Sequence, residues 1–403
     1  MTRDCLSAED AAALLMSRAV PPTCSREVPL SQALDRICAA DLSACMDHPP
    51  FDRSPLDGYA CRSQDLRGAC AHAPAVLQVT QHIFAGDTPS GPVTPGACAR
   101  IMTGAPIPPG ADCVIRQEDT DCGASRVCIF VSSAPHSNIC RRGEDLRRGA
   151  PIVSRGARLT PAHLGVLAGQ GLSRVPVYPP LRVGILATGD ELVDPGAPLP
   201  PGRIYNSNQT YLAARLAQLG MRPVIAPRGA DSLEMLTASL EELLCRCDAV
   251  VTTGGVSVGQ RDLIPAALSA LGARQLFHGA AVKPGSPVLA AVLQEKPLIC
   301  LSGNPFAAAA TFELIARPPL CSMAGWAAPW PERIRGTLRT PFPKASPVRR
   351  LVRARLEGCS VSFPSGGHVS GALSALIGCN CLVDIPAGSP PLAAGACVEV
   401  VLL

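Results

Sequence analysis

Short apolar runs and longer segments with helical periodicity alternate between residues 181 and 325. The runs GILA, AVVTT and LICL are aliphatic or β-branched and too short for helices, so they predict buried strands. Between them, leucines recur at spacings of three and four residues, which is one face of a helix. The leucines predicted as core are Leu212, Leu216, Leu219, Leu233, Leu236, Leu240 and Leu243. Strands alternating with helices predict an α/β unit with a parallel sheet.

Three of the predicted strands end in the same way, with a hydroxyl side chain, a glycine and then a polar residue. They are RVGILATGDEL at 182–192, DAVVTTGGVSVGQRD at 248–262 and KPLICLSGNPFA at 296–307. Ligands of open parallel sheets bind beyond the carboxyl ends of the strands, where free amides favour anions. We therefore expect one binding rim, formed by Thr188, Asp190, Glu191, Ser257, Asp262, Ser302 and Asn304. The alternative is that glycine and serine only mark turns between strands and helices.

The rest of the chain predicts shorter elements. Residues 7–18 and 30–41 predict helices, and Thr160 before a proline predicts the cap of another. Alternating short runs between 70 and 140 indicate a compact β domain. Arg-rich alternation beyond Trp330 indicates a second, small β domain at the C-terminus.

Composition argues against nucleic-acid-binding, membrane and disulfide-rich proteins. The 36 basic and 32 acidic residues are well mixed, and aromatic residues are only 3%, too few for a base-stacking surface. No segment approaches the ~20 apolar residues of a membrane span. The 19 cysteines include no C-x-x-C pair, so neither a zinc ribbon nor a disulfide framework is indicated. We predict a cytoplasmic protein with reduced thiols and a small-molecule ligand, without nucleic-acid or membrane partners.

Two common nucleotide-binding fingerprints do not follow the predicted strands. The dinucleotide motif G-x-G-x-x-G and the P-loop motif G-x-x-x-x-G-K-[ST] are both absent there. Dehydrogenase and P-loop ATPase activities are therefore not indicated.

Two segments outside the α/β unit carry candidate chemistry. Asp57 lies in the turn DGYA, and Thr103 follows a predicted strand in RIMTGAPIPPG. An aspartate in such a turn can also satisfy its own backbone as an Asx turn. The segment CRRGEDLRRGA at 140–150 mixes four arginines with two acids, which is typical of an exposed, ion-paired turn.

The motifs follow one another in a characteristic order: SPLDGYA, RIMTGAPIPPGADCVIRQE, RRGEDL, GILATGDEL, RIYNSNQTYLAARLAQLG, DAVVTTGGVSVGQRD, KPGSP and SGNP. In this order the chain resembles the molybdopterin molybdenumtransferases of the MoeA type, which are also similar to the C-terminal domain of gephyrin. The resemblance runs from about residue 7 to the C-terminus. Several separated motifs in a fixed order are far more specific than any single pattern.

The resemblance implies a multi-domain protein of α/β and β parts. Its domains would be a helical hinge from residues 1–47 and 141–179, an inserted β domain at 48–140, a molybdopterin-binding α/β domain with a central parallel sheet at 180–325, and a small C-terminal β domain at 326–403. It also implies a homodimer with the active site at the subunit interface. There the α/β rim of one chain would face the DGYA and TGA motifs of the other.

The reaction that the resemblance implies is insertion of molybdate into adenylylated molybdopterin, with release of AMP and with Mg²⁺ as cofactor. The implied catalytic residues are Asp57, Thr103, Glu191, Asp231 and Asp262, with Glu191 and Asp262 as metal ligands. The implied substrate-binding residues are Asp145, Thr188, Gly189, Gly254, Gly255, Ser257, Lys283, Ser302, Gly303 and Asn304. Implied protein partners are a molybdopterin adenylyltransferase and recipient molybdoenzymes.

The chain departs from the family pattern at positions that bear on charge. Gly279 and Ser286 stand where the family usually has basic residues around Lys283. Ser302 replaces a proline and Cys140 an arginine, so the rim is expected to be less positive than is usual. Two alternatives stay open: a molybdopterin adenylyltransferase, which has a similar TTGG strand end, and a non-catalytic molybdopterin carrier or scaffold.

Overall fold

The computed structural model describes residues 5–227, 232–256, 262–364 and 369–403. Its α-helices are Ala8–Met16, Pro161–Gly169, Ser207–Gln218, Leu233–Arg246, Ile264–Ala270, Pro305–Thr311 and Arg317–Met323. A π-helical turn, Phe312–Ala316, joins the last two helices, and 3-10 turns lie at Leu30–Gln32, Ser63–Leu66, Gln117–Asp119 and Ser374–Leu376. The helix predicted over 30–41 is wrong, because Asp35 has a φ of +61°, a left-handed conformation that ends a right-handed helix. Within the described ranges no helix combines the length and the apolar character needed to cross a membrane.

Helices of the α/β unit bury the leucine faces that the periodicity predicts. Leu212, Leu216 and Leu240 are fully buried, and burial of each side chain stabilises the fold by about 1.5–3 kcal/mol. Leu233 is the exception, because it begins its helix and is 37% exposed. The prediction that every one of these leucines is core was wrong at that position.

A six-stranded mixed sheet forms the centre of this unit. Its strands, in order, are Arg222–Ile225, Arg182–Ala187, Ala249–Thr253, Lys296–Leu301, Leu289–Leu293 and Arg274–His278. The first four are parallel, as predicted, and the fifth, Leu289–Leu293, runs antiparallel to the strand on each side of it. The change of direction follows from the turn Gln294 and Glu295, whose φ angles of 51° and 61° are those of a two-residue hairpin turn. A connection this short cannot cross over the sheet, so the strands it joins must be antiparallel.

All-β units precede and follow this sheet. One is a five-stranded sheet in the order Cys113–Arg116, Gly58–Cys61, Ala97–Ile101, Ala75–Ile83 and Arg126–Ile129. The other is a closed barrel of Arg333–Leu338, Ser360–Ser362, Arg350–Glu357, Cys381–Ile385 and Cys397–Leu402. Two-stranded pairs are Arg26–Pro29 with Arg174–Val177, Leu42–Ser43 with Pro151–Val153, and Leu192–Val193 with Ile204–Tyr205. The first two pairs join the chain before the five-stranded sheet to the chain after it.

An ion-pair network ties the first helix to the C-terminal barrel. Glu9 contacts Arg333 and Arg349, and both arginines also contact the buried Asp384. The hydrogen bond from Arg349 and then its charge hold the pKa of Glu9 below its usual range, against the opposing effect of partial burial. The N-terminal helix and the barrel are therefore coupled by charge.

Glu9→Gln is expected to lower the melting temperature more at neutral pH than at about pH 3. A carboxyl whose folded pKa is lowered contributes stability above its unfolded pKa, and that stability is lost as pH falls through the folded pKa. The effect is small, because Glu9 is 44% exposed and solvent screens the pair. Thermal unfolding of both proteins at both pH values measures it, with Glu242→Gln on a surface helix as control. Equal differences at the two pH values would contradict a charge effect.

Candidate active site

The carboxyl ends of three parallel strands meet at one rim, as predicted. These strands are Arg182–Ala187, Ala249–Thr253 and Lys296–Leu301. The Thr188 amide donates to the Thr253 carbonyl at 2.9 Å, and the Gly254 amide donates to the Leu301 carbonyl at 3.1 Å. Hydrogen bonding between the strands thus continues into the rim, so the residues after each strand have defined positions.

A cavity of about 840 Å³ opens at this rim. The predicted residues that line it are Thr188, Gly189, Asp190, Glu191, Gly254, Gly255, Asp262, Ser302, Gly303 and Asn304. Further lining comes from Leu192, Ile204, Tyr205, Asn206, Ser207, Asn208, Leu236, Val256, Leu263, Ile264, Pro287, Pro305 and Gly371. Small-molecule sites usually have volumes of about 300–1,000 Å³. The structure therefore brings the described rim residues into one cavity of suitable size.

Close approach of the backbone explains the two glycines of TTGG. Gly254 and Gly255 have φ angles of +87° and +64°, in the region that favours glycine. A Cβ atom on Gly254 would lie 2.4 Å from the Thr188 carbonyl oxygen, and one on Gly255 would lie 2.9 Å from Thr188 Oγ1. A side chain at Gly254 would push two strand ends apart, and one at Gly255 would displace the Thr188 hydroxyl.

Gly254→Ala is expected to destabilise the fold by about 2–4 kcal/mol, from left-handed strain plus the clash with Thr188. Gly272→Ala is the matched control, because Gly272 has a φ of +70° but nothing within 4 Å of an added Cβ. Gly272→Ala has the strain without the clash, so it is expected to destabilise the fold by about 1 kcal/mol. Urea unfolding measures both variants, and equal losses would contradict the close approach of the two strand ends.

The described cavity lining is acidic. Asp190, Glu191 and Asp262 contribute carboxylates, while none of the described lining residues is Lys, Arg or His. The Glu191 carboxylate lies over Gly189, since a Cβ atom there would be 2.7 Å from Glu191 Oε2. Glu191 is exposed and Asp262 is half-buried. An anionic substrate therefore needs a cation at this site.

Amide side chains form another part of the lining. Asn208 Nδ2 donates to the Gly303 carbonyl at 2.8 Å, and the backbone N–H of Asn304 donates to Ser302 Oγ at 3.3 Å. Asn206 is buried and caps the helix that follows it. Asn206 and Asn208 were not predicted as site residues. The available signal was RIYNSNQTY, in which an asparagine before a helix is a typical N-cap.

Asp57 and Thr103 form a pair outside the cavity lining. Asp57 Oδ1 accepts hydrogen bonds from the Thr103 amide and from Thr103 Oγ1, each at 2.8 Å. The amide first and the hydroxyl second hold the pKa of Asp57 below its usual range. Asp57 therefore binds a residue 46 positions away, which the local Asx-turn interpretation did not predict. Both side chains are exposed.

Asp145 lies in an exposed turn whose neighbours pair with nearby acids. Arg142 Nε contacts Asp47 Oδ2 at 2.7 Å, and the Arg142 amide donates to Asp52 Oδ1 at 2.7 Å. These contacts agree with the interpretation of this segment as an ion-paired turn. Asp145 itself is exposed and is not among the residues that line the cavity.

The remaining predicted residues lie elsewhere. The Lys283 amide donates to the Arg349 carbonyl and its carbonyl accepts from the Leu351 amide, each at 2.8 Å. Lys283 therefore lies where the α/β unit meets the barrel, with an exposed side chain that is not part of the cavity lining. Asp231 and Ser257 lie outside the described residues.

A metal ion in this cavity would be held by the carboxylates of Glu191 and Asp262. Across the described ranges there is no group of three or more His, Cys, Asp or Glu side chains able to hold a metal by itself. Mg²⁺ usually takes one or two carboxylates together with waters and substrate phosphates. The donors present therefore fit Mg²⁺ that binds together with a phosphate-containing ligand.

Family models match consecutive parts of the chain. The MoeA N-terminal region, domains I and II, matches residues 6–171, and the MoeA C-terminal region, domain IV, matches residues 335–403. Between them, a probable molybdopterin binding domain matches residues 184–321. The chain belongs to the MoeA family. Apart from Gly371, which comes from the MoeA C-terminal region, the cavity lies within the molybdopterin-binding domain.

Relatives of this MoeA-family chain are similar over nearly its whole length. The molybdopterin molybdenumtransferase of Staphylococcus aureus (strain COL) is 37% identical over 378 residues, 93% of this chain and 90% of the relative. That of Bacillus subtilis (strain 168) is 36% identical over 383 residues, 93% of this chain and 89% of the relative. The crystal structure of the molybdopterin biosynthesis MoeA protein from Pyrococcus horikoshii OT3 matches with a TM-score of 0.86 and 27% identity, covering 99% of this chain and 100% of that one. The family resemblance and the multi-domain α/β and β fold class are confirmed.

Proposed function

We propose that this chain inserts molybdate into adenylylated molybdopterin, releasing AMP and forming molybdenum cofactor. As a member of the MoeA family it is an enzyme, a molybdopterin molybdenumtransferase of molybdenum cofactor biosynthesis. The observation that carries the detailed proposal is the cavity of about 840 Å³ at the carboxyl rim of three parallel strands, within the molybdopterin-binding domain. Its amide side chains suit the heterocycle of such a ligand, and its carboxylates suit a cation that would bind the ligand's phosphates.

The rim residues divide into those that shape the cavity and those that bind substrate. The Thr188 and Gly254 amides already donate to strand carbonyls, so these residues hold the turn in place. Substrate contacts then fall to side chains at the cavity surface, among them Asn208, Ser302 and Asn304. Hydroxyl and amide groups can both donate and accept, which suits the edge of a pterin.

The substrate's phosphates and molybdate are anions, so the positive charge that binds them must come from outside the described lining. Glu191 and Asp262 would hold Mg²⁺, which when bound supplies positive charge to phosphate and oxyanion oxygens. Lys283 would add a point charge from the junction with the barrel. Gly279 and Ser286 contribute no positive charge near Lys283. The metal ion would therefore supply a larger share of the positive charge than in family members with basic residues at these positions.

We propose a homodimer in which Asp57 and Thr103 of one subunit complete the cavity of the other. The pair is exposed and lies outside the cavity lining of its own chain, which leaves it available to a second chain. The exposed turn around Asp145 would approach with it and bring its arginines to a cavity whose described lining has none. We place the reaction in the cytoplasm, between a molybdopterin adenylyltransferase that supplies the substrate and molybdoenzymes that receive the product.

Incubation of the pure protein with adenylylated molybdopterin, molybdate and Mg²⁺ tests the proposal. Release of AMP and reconstitution of a cofactor-free molybdoenzyme are followed together, with and without molybdate and with EDTA. We expect active cofactor only when molybdate and Mg²⁺ are both present. AMP release without molybdate-dependent cofactor would exclude insertion of molybdate.

The same assay separates the alternatives. Formation of adenylylated molybdopterin from molybdopterin and ATP would identify an adenylyltransferase. Tight binding of the pterin without turnover would identify a carrier or scaffold. Sedimentation of the protein as a monomer with full activity would contradict the shared site.

A further inference from the structure

Gln209 is a buried polar residue of the helix Ser207–Gln218, with 8% of its surface exposed. Its Oε1 accepts a hydrogen bond from Asn206 Nδ2 at 2.8 Å. Its Nε2 donates to the Ala226 carbonyl at 2.9 Å and to the Ile185 carbonyl at 3.4 Å. Both ends of the side-chain amide are therefore hydrogen-bonded, to three separate partners. Because a buried amide without partners is costly, an arrangement of this kind indicates a specific role.

Two of the three partners belong to the central sheet. Ile185 lies in the strand Arg182–Ala187, and Ala226 directly follows the edge strand Arg222–Ile225. The backbone N–H of Ala226 itself donates to the Ile185 carbonyl at 3.0 Å. Gln209 Nε2 therefore binds two strands at a point where they already pair with each other.

The third partner, Asn206, ends the segment that carries Glu191. We call this segment, residues 189–206, the Glu191 loop. Within it, the backbone N–H of Ile204 donates to the Glu191 carbonyl at 2.8 Å, and that of Asn206 donates to the Val193 carbonyl at 2.9 Å. The two ends of the loop are thus joined to each other. The side chain of Asn206, which is buried, then links the loop through the glutamine to the sheet.

We propose that Gln209 is a positioning residue, which anchors the Glu191 loop to the central sheet and so holds the Glu191 carboxylate where a divalent cation binds. The proposal rests on the Mg²⁺ site proposed above for Glu191 and Asp262. Gln209 is not among the residues that line the cavity, so it acts on the cation only through the loop. A ligand that is already held in place loses less conformational freedom when the cation binds, which raises the affinity.

Gln209→Met tests the role, because methionine keeps a side chain of similar size and has no amide group. We expect about tenfold weaker binding of Mn²⁺ in the presence of AMP, measured by EPR of the free ion. Mn²⁺ serves as the probe because, like Mg²⁺, it prefers carboxylate and water ligands. The kcat for cofactor formation at saturating Mg²⁺ should change less than about twofold, since a saturating cation itself holds Glu191 in place. Hydrogen exchange at the backbone N–H groups of Ile204 and Asn206 should become at least about fivefold faster.

Asn206→Ser keeps the proposal testable if Gln209→Met fails to fold. Serine caps a helix about as well as asparagine, but it removes the Nδ2 donor that binds Gln209. We expect Mn²⁺ binding at least about threefold weaker than in the wild type. Leu216→Ala is the control, because Leu216 is fully buried about two turns further along the same helix. It should lower the melting temperature and leave Mn²⁺ affinity and exchange in the Glu191 loop unchanged.

The outcomes separate a positioning role from a structural one. Wild-type Mn²⁺ affinity and wild-type exchange in the Glu191 loop, in a Gln209→Met protein of lowered melting temperature, would overturn the proposal. Absence of Mn²⁺ binding by the wild type would overturn it as well, since Glu191 would then hold no cation. Wild-type protein that binds Mn²⁺ and forms no cofactor would overturn the proposed function alone. Weaker Mn²⁺ binding by Gln209→Met would support the positioning role in that case too.

Discussion

Glu191→Gln is expected to reduce cofactor formation by about 100-fold or more while leaving the fold intact. Glu191 is exposed at the cavity rim and its carboxylate lies over Gly189, so it faces the space that substrate would occupy. Glutamine keeps the size of the side chain and removes its charge. The loss of activity then follows from the lost interaction with Mg²⁺ or with the reacting groups. Because the side chain is exposed, the free energy of unfolding should change by less than about 0.5 kcal/mol.

The measurement is the rate of molybdate-dependent cofactor formation at saturating substrate, together with a urea unfolding curve. Glu332→Gln is the matched control, because Glu332 is an exposed glutamate beside the C-terminal barrel. We expect the control to be fully active. A Glu191→Gln protein with wild-type activity would remove Glu191 from the site.

Co-expression of Asp57→Ala chains with Glu191→Gln chains is expected to restore about one quarter of the wild-type activity, although each variant alone is nearly inactive. In a hybrid dimer with shared sites, one site carries both changes and the other carries neither. Random pairing makes about half of the dimers hybrid, and each hybrid has one intact site of two. The effect is large because activity rises from near zero. It requires that the Asp57 and Thr103 pair serves the cavity of the other subunit.

The control is co-expression of wild-type chains with chains that carry both changes. With shared sites, each hybrid of that mixture has two half-changed sites and is inactive, so only wild-type dimers contribute. If the two residues serve a site within one chain, the first mixture shows no recovery and the second keeps one intact site in each hybrid. No recovery in the first mixture, with dimers present by sedimentation, would contradict the shared site.

The sequence by itself determined the α/β unit and the position of the cavity. Leucines at helical spacing and short β-branched runs indicate which face of a helix or strand is buried. The folded structure buries those faces. The repeated strand ends also predicted which residues meet, because carboxyl ends of parallel neighbours must lie on one edge of a sheet. Thr188, Gly254 and Ser302 line one cavity for that reason. The order of the motifs determined the family.

Only the tertiary structure decided contacts between residues far apart in the chain. The antiparallel edge of the central sheet depends on a turn of Gln294 and Glu295, which lacks the usual glycine or asparagine signal. The partner of Asp57 could not be read locally, since Thr103 reaches it across neighbouring strands. Lys283 was assigned to substrate binding from the KPGSP motif, yet its backbone hydrogen-bonds to the barrel and not to the rim.

Arg353 shows most clearly what the sequence pattern alone does not predict. Arginine is almost always exposed, so a strand pattern predicts a surface side chain at that position. In the folded chain it is fully buried between the Phe306 ring and the turn 369–372. Gly371 of this turn lines the cavity. Hydrogen bonds to two backbone carbonyls and a ring face together offset the cost of burying the charge. Those partners come from separate parts of the chain, and only folding brings them together.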